Sequence, residues 1–158
     1  MKRIMLLLSV IILFIACEND LSRVVGVHDK INFEKFKNQE LDKSYKNLLN
    51  PNNTTEEEYK AVINSWKEYH TKVSSILQEN NFSWGIKDPS VTIFNKIYFN
   101  KKGKVNHILV NVKNEKISNE TKSAYVTLLK NHINELSINL KRANQFAQCG
   151  KIKYKNYE

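Results

Sequence analysis

The chain has 158 residues and a formal charge of +9, with 41% hydrophobic and 10% aromatic residues but only four Gly, two Pro and two Cys. That balance excludes a disordered solvating chain, and the scarcity of Gly and Pro excludes collagen-like, linker-like and repeat architectures. The charge is uneven: acids slightly outnumber bases over residues 18–86, while bases outnumber acids by roughly three to one from Lys87 onward.

The chain opens with Met1-Lys2-Arg3, then an apolar run from residue 4 to 15 broken only by Ser9, then Ala16-Cys17-Glu18-Asn19-Asp20. A basic start, a short apolar core and a small residue before the cut make a secretory signal. The core falls short of the about 20 apolar residues a spanning helix needs. Ending in Ala16-Cys17, the segment resembles a bacterial lipoprotein signal peptide. Phe14 stands where that family most often has Leu. The resemblance implies cleavage of residues 1–16, fatty acylation of Cys17 and no transmembrane helix in the mature chain. An uncleaved anchor and an ordinary cleaved signal are the alternatives. Several acyl chains hold stably where one does not, at about 0.8 kcal/mol per buried methylene. The expected location is therefore the cell envelope, on the outer membrane, facing the periplasm or the outside. Glu18 and Asp20 resemble the export signal of surface lipoproteins in some Gram-negative lineages.

With the signal removed, about 140 residues suit one domain. Residues 17–32 are expected as a tether, with Val24, Val25 and Val27 able to dock on the domain, and residues 33–158 as a single α+β unit. Residues 33–49 read as a helix with Phe36, Leu41, Tyr45 and Leu48 near one face, stopped by Asn50-Pro51-Asn52-Asn53. Thr55 and Glu58 form a capping box for the next helix. Its stripe runs Tyr59, Val62, Ile63, Trp66, Tyr69, Val73, Ile76, Leu77, and Asn80-Asn81 ends it.

Period-two alternation then takes over. Val91, Ile93, Ile97 and Phe99 alternate with Thr92, Phe94, Lys96 and Tyr98, giving a strand. Lys101-Lys102-Gly103-Lys104 is a turn, with Gly103 supplying positive φ, and residues 105–112 return as a second strand. Ser118 or Asn119 caps a helix whose apolar face is Tyr125, Leu128, Leu129, Ile133, Leu136 and Leu140. Residues 146–154 form a last strand, with Phe146, Ile152 and Tyr154 on one parity and Gly150 at a bend or bulge. The fold class is thus α+β: N-terminal helices plus a small antiparallel sheet, strand-strand-helix-strand, covered by a helix.

The run Ile97-Tyr98-Phe99-Asn100-Lys101-Lys102-Gly103-Lys104-Val105-Asn106-His107-Ile108-Leu109-Val110, followed by a helix and then Phe146 and Gly150-Lys151-Ile152, resembles the C-terminal domain of TonB-like energy transducers. It covers about residues 91–154. The chain lacks that family's Pro-rich arm, its Tyr-Pro pair ahead of the hairpin and its Pro near the last strand. It does not read as a working transducer. The resemblance implies a last strand, around Phe146 to Tyr154, whose free edge binds an extended peptide. Pairing with a second copy is the other use of such an edge.

Catalytic signatures are absent. His28, His70, His107 and His132 have no zinc-ligand spacing, no GxSxG occurs, and the acids Glu56 to Glu58 are explained by capping. No metal, cofactor or catalytic residue is assigned. With Cys17 acylated, Cys149 remains as a free thiol, and a pair with His107 or His132 is the one route to an enzyme. Nucleic acid is excluded as a partner, since no Arg-rich or aromatic-basic pattern occurs. Phe82 and Trp84, on the link between long helix and hairpin, either present an aromatic anchor to a peptide or glycan or plug the gap between helix and sheet. The reading that results is a non-enzymatic envelope binding module, held to the membrane through Cys17 and partnered by an envelope protein or peptide. Phe82, Trp84, Phe146, Gly150, Ile152 and Tyr154 are its candidate contact residues. An immunity or inhibitor lipoprotein that blocks a toxin or hydrolase is the alternative.

Overall fold

Three alternating segments pair as the pattern demands. In the computed structural model, which describes residues 23–157, β3 (Ser90–Phe99), β4 (Val105–Asn111) and β5 (Phe146–Lys155) form an antiparallel core with β3 in the middle. The odd residues of β3 meet the even residues of β5: Val91 faces Tyr154, Ile93 faces Ile152, Ile97 faces Gln148 and Phe99 faces Phe146. Two short parallel strands extend this core, β1 (Val24–Gly26) beside β4 and β2 (Lys46–Asn47) beside β5, giving the order β1-β4-β3-β5-β2. The architecture is α+β with a mixed sheet.

One face of the sheet is covered by α2 (Glu56–Glu79) and α3 (Asn119–Asn131). The capping box of α2 is complete: the Glu58 amide donates to Thr55 Oγ1 at 3.2 Å and the Thr55 amide donates to Glu58 Oε2 at 3.0 Å. Ser118 caps α3. Val62, Tyr69, Val73 and Leu77 of α2 and Tyr125 and Leu129 of α3 pack on Val91, Ile93, Ile97 and Phe99, all fully enclosed. Each buried aliphatic side chain there stabilises the fold by about 1.5–3 kcal/mol relative to exposure. The other face is covered at one end only. There Phe36 of α1 (Lys30–Lys37) and Tyr45 lie on Val25, Tyr98 and Ala147.

Several expectations need correction. Residues 17–32 are not all tether: Val24–Gly26 is a sheet strand, and α1 begins at Lys30. Apolar Val24 and Val25 alternate across the sheet, so each of its faces takes one of them. The helix expected over 33–49 ends at Lys37. Glu40 adopts a left-handed conformation, a 3-10 turn follows at Leu41–Lys43, and β2 begins at Lys46. α3 stops at Asn131; Ile133 sits in the turn over residues 132–135, and Leu136 and Ile138 in the return that follows, where all three remain buried. Gly150 marks no bulge. β5 pairs with β3 without a register shift, and the Trp66 ring would lie 3.2 Å from any Cβ at Gly150. The sheet's irregularity is instead on β4, where Tyr98 pairs His107 but Phe99 pairs Val105.

Candidate functional site: the outer edge of β5

β5 has β3 along its whole inner side, but β2 covers only Phe146 and Ala147 on the outer side. The Leu48 amide donates to the Ala147 carbonyl at 2.9 Å, so Ala147 directs its backbone outward. Successive residues of a strand alternate both side-chain face and hydrogen-bonding side. Cys149, Lys151 and Lys153 therefore share Ala147's orientation and present N–H and C=O groups along the outer edge. Among the described residues no strand pairs with β5 beyond Ala147.

The same parity sets the chemistry of this edge. The side chains of Cys149, Lys151, Lys153 and Lys155 stand on the sheet's second face, past the part covered by α1. The three lysines are exposed and Cys149 is half-buried. Neighbouring Phe94 is half-buried, and Lys96 is held by Asp42 at 2.5 Å, with the Tyr98 hydroxyl donating to the same carboxylate at 3.0 Å. Burial pushes the Cys149 thiol above its usual pKa, against the pull of Lys96, so the protonated form prevails. His107 lies on β4, two strand spacings or about 10 Å away. His132 is engaged with Glu135 at 3.2 Å. The fold does not assemble a thiol–imidazole pair. Among the described residues no cluster of three metal-ligating side chains occurs, and no helix is long and apolar enough to cross a membrane.

The candidate contact residues divide sharply. Phe146, Trp84 and Tyr154 are at most 1% exposed and offer no side-chain surface. Trp84 packs on Phe82 and Tyr125, each with ring centroids 4.9 Å away, and its amide donates to Asn156 Oδ1 at 3.0 Å; it fills the gap between helix and sheet. Phe82 is half-buried against it. Gly150 and Ile152 point to the core side, their backbone toward β3. Cys17 lies outside the described residues. The groups that could meet a peptide are the ones sequence reasoning passed over: the backbone of Cys149, Lys151 and Lys153. The clue was present in Lys151-Ile152-Lys153-Tyr154-Lys155, which puts every lysine on one parity.

A second polar group is closed to solvent. His70 Nδ1 bonds the Tyr154 hydroxyl, while its ring lies edge-on to Trp66 and Tyr69. Burial lowers the His70 pKa to about 3. Gln148 Nε2 donates to Ser65 Oγ at 2.7 Å, but the Asn95 side chain and the Tyr125 hydroxyl lack well-formed hydrogen bonds. Tyr125 still feels Tyr154 and Asn95, though burial dominates and raises its pKa. These groups fix α2 and α3 on the sheet; at 4% exposure or less they meet no ligand from solution.

No protein-family model matches the chain, and no curated protein and no solved structure matches it either.

Proposed function

We propose that this protein is a lipid-anchored envelope binding module that takes up an extended peptide along the outer edge of β5. The single observation that carries the reading is the outer side of β5, which from Cys149 onward pairs with no strand among the described residues. Backbone hydrogen bonds along such an edge give affinity, and side chains of alternate residues give selectivity. The TonB-like resemblance of residues 91–154 supports it, since it implies the same strand in the same role. The anchor rests on Ala16-Cys17 after the apolar run, and it gives the envelope location.

The lysines define the peptide. Lys151, Lys153 and Lys155 stand on one face beside the edge, a common protection against unwanted strand pairing. A second copy adding antiparallel through β5 would set these like charges against each other, which destabilises a pair. A strand with acidic residues at alternate positions turns the same charges into attraction. The preferred occupant is therefore an acidic extended peptide of an envelope partner, and self-pairing is disfavoured.

The test is a displayed library of short random peptides selected on the full chain, with Lys153→Pro as the control. Proline at this edge position removes an outward N–H and leaves the bonds to β3 intact. Acidic alternating peptides should be enriched, and binding should fall at least tenfold in the variant with little change in melting temperature. Enrichment that survives Lys153→Pro, or no enrichment, refutes the edge reading.

A further inference from the structure

The described chain enters the domain at one end of the sheet, and that end is basic. The Arg23 carbonyl accepts from the Ile108 amide at 2.8 Å, and its guanidinium clamps the Val105 and Asn106 carbonyls at 2.6 and 3.0 Å. The first strand thus begins beside the β3–β4 hairpin. The same end carries the last turn of α3, with Lys130 lining a cleft beside Val24, and the return before β5, where the Arg142 amide donates to the Lys101 carbonyl at 3.0 Å. The Ile138 amide donates to the Gly103 carbonyl at 2.9 Å, which ties the return to the hairpin through the backbone.

The acids near this end are occupied. Glu58 holds Arg142 at 2.9 Å, Glu68 holds Lys72 at 3.2 Å, and Glu135 faces His132 at 3.2 Å. Lys101, Lys102, Lys104, Lys130 and Lys141 are exposed, and none forms an ion pair among the described residues. Only five residues lie between Cys17 and Arg23, a span of six Cα steps. Fully extended, they reach about 20 Å, so an anchor at Cys17 keeps this end close to the headgroups. Glu18 and Asp20 in that stretch offset only part of the lysine charge.

We infer that this lysine end docks on an anionic phospholipid surface and orients the domain on its membrane. The inference rests on the lipid anchor proposed above. Lysines within a Debye length of anionic headgroups are attracted to them, and salt screens the attraction. β5 starts at this end and runs away from it. Docking therefore stands its open edge off the bilayer, where a peptide from a partner can reach it.

The test uses full-length lipidated protein in phosphatidylcholine vesicles and in vesicles containing phosphatidylglycerol. A water-soluble amine-acylating reagent reports on each lysine, read by mass spectrometry. Lys101, Lys102, Lys104, Lys130 and Lys141 should react several-fold more slowly on the anionic vesicles, while Lys153 and Lys155 keep one rate. High salt should erase the difference. In the double variant Lys102→Glu with Lys104→Glu, both exposed positions, Lys130 and Lys141 should lose their protection. Equal rates on both vesicles, with protein floating with both, overturn the docking and leave the anchor standing. Flotation with the phosphatidylcholine vesicles that persists in Cys17→Ala overturns the anchor reading, and this inference with it.

Discussion

His70 should make the fold acid-sensitive through a single group. Its ring is 3% exposed, packed between Trp66, Tyr69 and Tyr154, and no carboxylate contributes to its shift; burial alone lowers its pKa from 6.5 to about 3. Between those values the unfolded chain binds a proton that the folded chain refuses. The stabilisation is therefore full above about pH 6.5 and declines as pH falls. At pH 5 the loss is about 2 kcal/mol, and below pH 3 it levels at about 5 kcal/mol. His28 and His107 are also lowered, chiefly by burial, and add to the same trend. His70→Gln isolates the one contribution, because it cannot titrate and still offers Tyr154 a hydrogen-bond partner. Urea unfolding of both proteins at about pH 7.5 and pH 5 gives the comparison. The variant should lose about 2 kcal/mol less than the parent over that interval. An equal loss in both proteins would refute the claim that His70 is held neutral by burial.

Gly103→Val should destabilise the fold by at least 3 kcal/mol, or prevent folding, because two effects coincide. Gly103 has φ of +81°, and a Cβ there would lie 2.3 Å from the Ile138 carbonyl oxygen and 2.8 Å from that of Leu140. An unchanged melting temperature would contradict this packing. Trp84→Ala should cost about 3–5 kcal/mol in chemical denaturation, as expected for an enclosed ring and not for a surface anchor. A loss of binding with unaltered stability would reverse that assignment. Cys17→Ala should move the protein from the membrane to the soluble fraction on ultracentrifugation; continued sedimentation with membranes would mean that the attachment is proteinaceous.

Sequence patterns resolved the elements whose signals are local. The Thr55/Glu58 box and the apolar stripe from Tyr59 to Leu77 specify α2 as one helix of 24 residues, because cap and apolar face agree. Alternation over 91–99 and 105–112, with Gly103 between, specifies the hairpin, since only glycine takes that turn conformation without strain. β1 and β2 were illegible because strands of three and two residues carry no period, and their partners lie far along the chain. Residues 33–49 misled for a related reason: Phe36, Leu41, Tyr45 and Leu48 fit helical spacing, yet Phe36 and Tyr45 reach the second face of the sheet through a helix, a turn and a short strand, while Leu48 joins the main core.

The candidate site divides along the same line. Sequence alone determined that residues 146–154 form a strand, which parity is apolar, and that the other parity carries the lysines. It named Phe146, Ile152 and Tyr154 because apolar residues at an expected edge look like contacts. Tertiary structure decided that this parity faces the core, that its backbone bonds β3, and that Cys149, Lys151 and Lys153 face outward. The reason is geometric. Alternation fixes which residues share a face, but the free side of a strand depends on which strands flank it, and those neighbours are set by packing between distant segments.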